Sequence, residues 1–216
     1  NRRMWGVPSN NRSSVWYSKL LSPGKPPEWS AAFSITTPRS DGDIVAISSM
    51  DEKVVLFSKT AIFILAGDGP NNLGRGGTFV GPRKVAIGVG CVNRSSVVTG
   101  PFGIIFQSEK GLYALGRDLQ VNYIGSKVED HITGDNDVSS AVLLEEKSQV
   151  RFTLNAPGQT QLKTLCYDYF HGVWTVAAPN SSVVKNTISS TVTNSKHTYL
   201  GSDGYITRDV AAAVYD

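Results

Sequence analysis

Between its glycines and prolines the chain carries short runs of Val, Ile, Leu, Phe, Tyr and Thr. They are roughly five to eight residues long, the length of strands rather than helices. The pattern predicts strands over 3–7, 14–20, 44–49, 54–58, 61–67, 80–87, 95–99, 103–107, 111–116, 120–124, 141–145, 149–154, 162–168, 174–177, 187–192, 197–201 and 205–208. Apolar positions recur at helical spacing only near 128–132 and 211–214, so helix content is expected to be small. Asp41-Gly42, Glu109-Lys110-Gly111 and Asp203-Gly204 read as hairpin turns, with glycine where a tight turn needs positive φ, and Asp68-Gly69 closes a strand in the same way.

Internal repetition narrows this all-β reading. Residues 54–68 and 103–118 each run as an apolar strand, a polar turn and a second apolar strand ending in small residues. A looser copy covers 149–154 and 165–176, and a fourth covers 197–206. A period of roughly 35 to 55 residues is that of the four-stranded antiparallel blades of a β-propeller. The expected fold is therefore all-β and β-propeller-like, with about four to five blades visible. The chain, 1–216, reads as a single propeller-like domain or a fragment of a larger one, with no separate linker domain. Because it opens at Asn1 without an initiator Met, truncation is expected, or a ring closed by segments outside this sequence.

Composition supports a folded chain. Of 216 residues 40% are hydrophobic and 18% charged, too apolar for a disordered protein. The net charge of +3 comes without any dense basic block, which argues against a nucleic-acid-binding arm. Apolar runs fall far short of the ~20 residues that span a bilayer, so no membrane span is expected. Two cysteines, Cys91 and Cys166, are too few for a disulfide scaffold and lack Cys-x-x-Cys spacing; they read as buried thiols, with a single disulfide as the alternative.

Candidate chemistry is sparse. The stretch 67–77 is rich in glycine but lacks the Gly-Lys-Ser/Thr of a phosphate loop, and Arg75 is followed by Gly76 and a β-like Thr78-Phe79-Val80, so a flexible inter-strand loop is expected. Ser202-Asp203-Gly204-Tyr205 is similar to half of the aspartate box of sialidase-type propellers, without its later tryptophan, and reads as a turn. His131, His171 and His197 lie on different units, with no two at metal-ligand spacing. No paired carboxylates stand at an interpretable spacing, and neither cysteine has an adjacent base. Arg2, Arg3, Arg12, Arg75, Arg83 and Lys84 are scattered among Trp and Tyr, the distribution of a solvated face rather than of sequence-specific readout. No catalytic, cofactor-binding or metal residue is assigned, no cofactor is expected, and the chain is not read as an enzyme.

Three stretches taken together resemble a known group. They are Ser13–Leu20 with Pro26-Pro27-Glu28-Trp29; Asp41–Ile47 followed by Val54–Lys59 and Ala61–Gly67; and Ile87–Val97 followed by Gly103–Phe106 and Lys110–Leu115. Their order is similar to that of tail nozzle proteins of short-tailed bacteriophages, the tail tubular protein B group and the packaged-DNA stabilisation proteins. The most specific piece is Gly90-Cys91-x-x-x-Ser95-Ser96-Val97 with the phenylalanine hairpin behind it. The likeness spans about residues 13–130 and carries no reactive residue. It implies a virion structural protein whose copies, usually six, ring the channel below the portal and hold the genome in. Neighbouring tail, connector or fibre proteins would be its partners, and DNA would pass without being read. Trp5, Trp16, Tyr17 and Trp29 are then candidates for core or for contact between copies, core being preferred. The alternative is a carbohydrate- or protein-binding propeller used for host adhesion; a propeller hydrolase with its acid and base on separate blades is a third.

Overall fold

The computed structural model describes residues 2–132, 137–155, 163–177 and 187–209. The chain is all-β and propeller-like, and its described residues form five antiparallel sheets of three or four strands following one another in sequence. The first holds β1 (Trp5–Gly6), β2 (Ser14–Tyr17) and β3 (Ser34–Thr36), and the second β4 (Ile44–Met50), β5 (Lys53–Ser58), β6 (Ala61–Ala66) and β7 (Val80–Ile87). The third holds β8 (Asn93–Gly100), β9 (Gly103–Ser108), β10 (Gly111–Leu115) and β11 (Val121–Tyr123). After one helical turn, α1 (Glu129–Ile132), come β12 (Asp137–Leu144), β13 (Gln149–Asn155), β14 (Lys163–Asp168) and β15 (Val173–Ala177), then β16 (Thr187–Thr193), β17 (Lys196–Gly201) and β18 (Ile206–Arg208). Each sheet is a meander in which every strand pairs with its sequence neighbours.

Strand chemistry follows strand position. In β5 and β6 the stretches Val54–Ser58 and Ala61–Leu65 are buried on both faces, which is why they read as unbroken apolar runs. Strand β12 alternates exposed or half-buried with buried residues and reads with period two. The edge strand β7 is largely exposed and carries Pro82, Arg83 and Lys84, and its pairing with β6 is broken by register shifts; these features keep a free edge from recruiting another strand.

Contacts divide the chain into two compact units, 1–94 with 108–110 and 115–122, and 95–107 with 111–114 and 123–216. The first unit packs Val15, Ile44, Leu56, Ala61, Phe63 and Leu65 into one cluster, beside an aromatic group of Trp5, Tyr17, Phe33 and Phe79. In the second, Ile105, Leu112, Val138, Val150, Phe152 and Leu165 form the core, and the Trp174 indole donates to the Ile124 carbonyl at 2.7 Å. Each fully buried large apolar side chain contributes about 1.5–3 kcal/mol relative to exposure.

Several expectations need correction. Asp41-Gly42 is no hairpin turn: Arg39–Asp41 form a 3₁₀ turn, Gly42 (φ 83°) closes it, and the pair links β3 to the next sheet. Strand β3 was not anticipated, because Ser34-Ile35-Thr36 has a single apolar residue. Pairing holds it instead, through Ser14 Oγ···Thr36 Oγ1 at 2.9 Å and the Thr37 amide on the Ser13 carbonyl. The strand expected over 14–20 stops at Tyr17, since the amides of Lys19 and Leu20 turn to the Glu28 carbonyl and the Asn72 side chain. The strand expected over 3–7 is only Trp5–Gly6. Strand β12 begins at Asp137, earlier than the expected 141, because its first residues alternate through serines rather than apolar side chains. The third repeat takes its second apolar run from 165–176, which holds strands three and four of its sheet where the first two copies offer strands two and three. The helical turn near 128–132 is present, whereas the one expected at 211–214 lies outside the described residues.

Candidate functional site

The clearest concavity in the first unit runs along β1 and β4. One cavity of about 430 Å³ is lined by Arg3, Trp5, Ser48, Ser49 and the Asp51–Val54 stretch. A second, of about 700 Å³, is lined by residues 5–9 and 44–47 with Arg12 and Arg94. Trp5 and Ile47 line both. Local sequence explains the shape: β1 is two residues long and is the outer strand of its sheet, β4 is the outer strand of the next, and the polar Asp51-Glu52 turn rises between β4 and β5, with Asp51 at φ 55°.

Trp5 is half-buried and packs against Tyr17, tilted, at 5.4 Å and against Phe79, edge-on, at 5.1 Å between ring centroids. Arg3, which packs on the same Tyr17 and Phe79 rings, is only 6% exposed. Its Nη1 donates to the Ser18 carbonyl at 2.8 Å and its Nη2 to the Pro70 carbonyl, while its carbon centre lies 5.4 Å from the Tyr17 ring and 5.9 Å from Phe79. Its Nε finds no acceptor among the described residues. Burial lowers the pKa of Arg3 and raises that of Tyr17. Asp51 is paired with Arg117 at the mouth, and Glu52 is exposed.

A second polar constellation is buried in the second unit. Arg151 on β13 lies directly opposite Cys166 on β14, and its Nη1 pairs with Asp209, whose amide donates to the His197 carbonyl at 2.9 Å. The His197 ring is fully buried and packs against Tyr199 at 4.1 Å between centroids with the planes tilted by 36°, and neither of its nitrogens is hydrogen-bonded among the described residues. Burial pushes His197 down to about 4 and Tyr199 up to about 12, the latter helped by the Asp209 charge, and it pushes the Cys166 thiol up. At neutral pH the imidazole is thus uncharged while the phenol and thiol keep their protons. A protonated thiol is a poor nucleophile, so the arrangement is that of a partly buried ion pair beside neutral rings.

The remaining candidates are dispersed. Both cysteines are buried thiols not joined in a disulfide, and the Cys91 thiol donates to the Asn93 carbonyl at 3.2 Å. His131 sits in α1, and His171 lies in a turn capped by Asp168, whose Oδ1 accepts from the Phe170 and His171 amides and whose Oδ2 is 3.0 Å from the His171 Nδ1. Among the described residues no three His, Cys, Asp or Glu side chains group as metal ligands. The stretch 67–77 lies in the connection between β6 and β7, the inter-strand loop expected there, and within it the Asn71 side chain accepts from the amides of Leu73 and Arg75 while its own amide donates to the Arg75 carbonyl at 2.7 Å. Asp203 accepts from the Tyr205 amide inside a turn closed by Gly201 and Tyr205, and Asp118 does the same between Gly116 and Gln120, so the half aspartate box is turn geometry. Of the four aromatic candidates Tyr17 is core, Trp5 and Trp16 are half-buried and Trp29 is exposed. The scattered cations take separate parts: Lys84 pairs with Asp41 at 2.7 Å, Arg12 approaches Asp43 at 3.7 Å, and of the six Arg3 and Arg12 line the cavities at Trp5, where Lys53 and Arg94 join them. Sequence reading missed Ser48, Ser49 and Glu52. The available signal was a polar turn between two strongly apolar strands, close to a tryptophan only once folded.

Comparison with models of known protein families finds no match, nor does comparison with curated proteins. Among solved structures, the crystal structure of BamB from Moraxella catarrhalis is similar at 12% identity, with a TM-score of 0.48, over 100% of this chain and 69% of that one. Among the described residues no helix is long and apolar enough to cross a membrane.

Proposed function

We propose that the chain is part of a virion structural protein of a tailed bacteriophage, a tail nozzle or head-to-tail component that lines the DNA channel and retains the packaged genome. The supporting observation is what the most specific resembling motif does here. Gly90 lies so close to the β5–β6 turn that a Cβ would come within 2.1 Å of the Ser58 carbonyl oxygen, and the Cys91 amide donates to that same oxygen at 2.9 Å. Cys91 is fully buried. The cysteine and its preceding glycine therefore serve architecture, seating the start of β8 on the preceding hairpin, as a rigid scaffold requires and as a reactive thiol would not. The two phenylalanine-bearing hairpins of the resemblance, β5–β6 and β9–β10, are the middle strands of successive meanders, so they supply core rather than a site.

On this reading copies of the chain's parent protein assemble into a ring, six being the number the resemblance implies, with neighbouring tail, connector or fibre proteins as partners. Native mass spectrometry and negative-stain imaging of the complete gene product test it. A closed ring with a central channel is the expected result; a well-folded monomer at micromolar concentration would overturn it. The groove at Trp5 favours a second reading, a binding module used in host adhesion, because it offers an aromatic platform beside hydroxyl and carboxylate groups.

A further inference from the structure

The groove on the β1 side of β4 carries an inference of its own, one that rests on the binding reading and not on the ring. We infer that the cavity at Trp5 is a binding site for a neutral saccharide, which stacks on the indole and hydrogen-bonds to the Ser48-Ser49 strand end and the Asp51-Glu52 turn. Four observations carry this. At about 430 Å³ the cavity suits one or two pyranose rings. Trp5 is half-buried and clamped by Tyr17 and Phe79, so its exposed part is a fixed, flat apolar platform for the C–H face of a sugar. Around it stand hydroxyls and carboxylates, which accept from sugar O–H groups, and Glu52 has no partner among the described residues. Arg3 and Lys53 balance Asp51 and Glu52 among the lining residues, so the lining itself carries no formal net charge to select a strongly charged ligand.

An extended peptide fits less well. Strand β1 offers two residues of edge before Pro8, which has no N–H, and β4 has a register shift between Ile44 and Ala46 that spoils its edge as a template.

Saturation-transfer NMR on the whole chain, with glucose, galactose, mannose, N-acetylglucosamine and their common disaccharides at millimolar concentration, tests the site. Sialyllactose serves as the charged control and a panel of extended hexapeptides as the alternative ligand. Transfer to the ring protons of at least one neutral sugar is expected, with affinity tenfold weaker in Glu52→Gln and Ser49→Ala and lost in Trp5→Ala. Glu52 and Ser49 are exposed, so those two variants keep the proposal falsifiable even if Trp5→Ala loosens the aromatic cluster. Transfer that is absent for every neutral sugar, unchanged in Glu52→Gln and Ser49→Ala, or stronger for sialyllactose would overturn the assignment. If hexapeptides bind in a Trp5-dependent way while sugars do not, the saccharide fails and the binding reading stands; if neither binds, both fail.

Discussion

His197 shows how one buried residue ties stability to pH. Its ring is fully enclosed, faces Tyr199, and has the Arg151–Asp209 pair as its charged neighbours. Desolvation holds it near 4 against an ordinary 6.5, so between those values the unfolded chain takes up a proton that the folded chain refuses. Stability therefore falls as pH drops from about 6.5 to about 4 and is flat on either side, with a total near 3 kcal/mol for this group. Chemical denaturation at pH 7.5 and pH 4.5 should show that loss, and His197→Phe, which keeps a ring against Tyr199 and removes two unpartnered nitrogens, should shrink it. An unchanged pH difference in the variant would assign the acid sensitivity to other groups. The neighbouring ion pair is partly buried at both ends, so Asp209→Asn should cost about 1.5–3 kcal/mol through the charge-assisted bond to Arg151. A melting temperature within a degree of the parent would show that the pair contributes no more than a surface bridge.

At the level of elements, turn chemistry carries the hairpins. Gly111 opens β10 at φ 112°, and a side chain there would also meet the Tyr123 ring at 3.1 Å. Gly111→Val should destabilise the β9–β10 hairpin by about 1–3 kcal/mol, read as a lower denaturation midpoint; an unchanged midpoint would mean that this turn has another backbone path. This hairpin was legible in the sequence, as were the middle strands of the meanders, because strands buried on both faces announce themselves as unbroken apolar runs. What was hidden is held by partners distant in sequence. Ser34-Ile35-Thr36 is a strand because it pairs with β2, through the Ser14–Thr36 hydroxyl pair and the Thr37 amide on the Ser13 carbonyl, and Asp41-Gly42 leaves the hairpin class because Lys84 and Thr60 bind Asp41 from other elements. The groove was illegible for the same reason: Trp5 and Glu52 are separated by a whole sheet in sequence and meet only when β1 and β4 line one cavity. Arg3 reads as one more surface cation until the fold buries it between Tyr17 and Phe79.

Across the whole molecule burial is unevenly spread, and that sets where the chain should open first. Strands β5, β6 and β9 are buried almost throughout, with Phe57, Phe63, Ile104, Ile105 and Phe106 fully enclosed. The last sheet is thinner: β16 and β18 are mostly exposed or half-buried, and Tyr205 and Ile206 are each 73% exposed. Strand β18 is three residues long and pairs on one side only among the described residues. Local opening free energy follows buried contact, so amide exchange should grade along the chain instead of moving as a block. Hydrogen exchange read by mass spectrometry should find β5, β6 and β9 protected longest and β16–β18 exchanging earliest, with acid widening the gap because His197 lies on β17. In a ring of copies, any surface covered by a neighbour should gain protection relative to the isolated chain. Slow exchange of β18 in an assembly and fast exchange in the lone chain would place that edge at an interface between copies; equal rates in both would exclude β18 from any such interface.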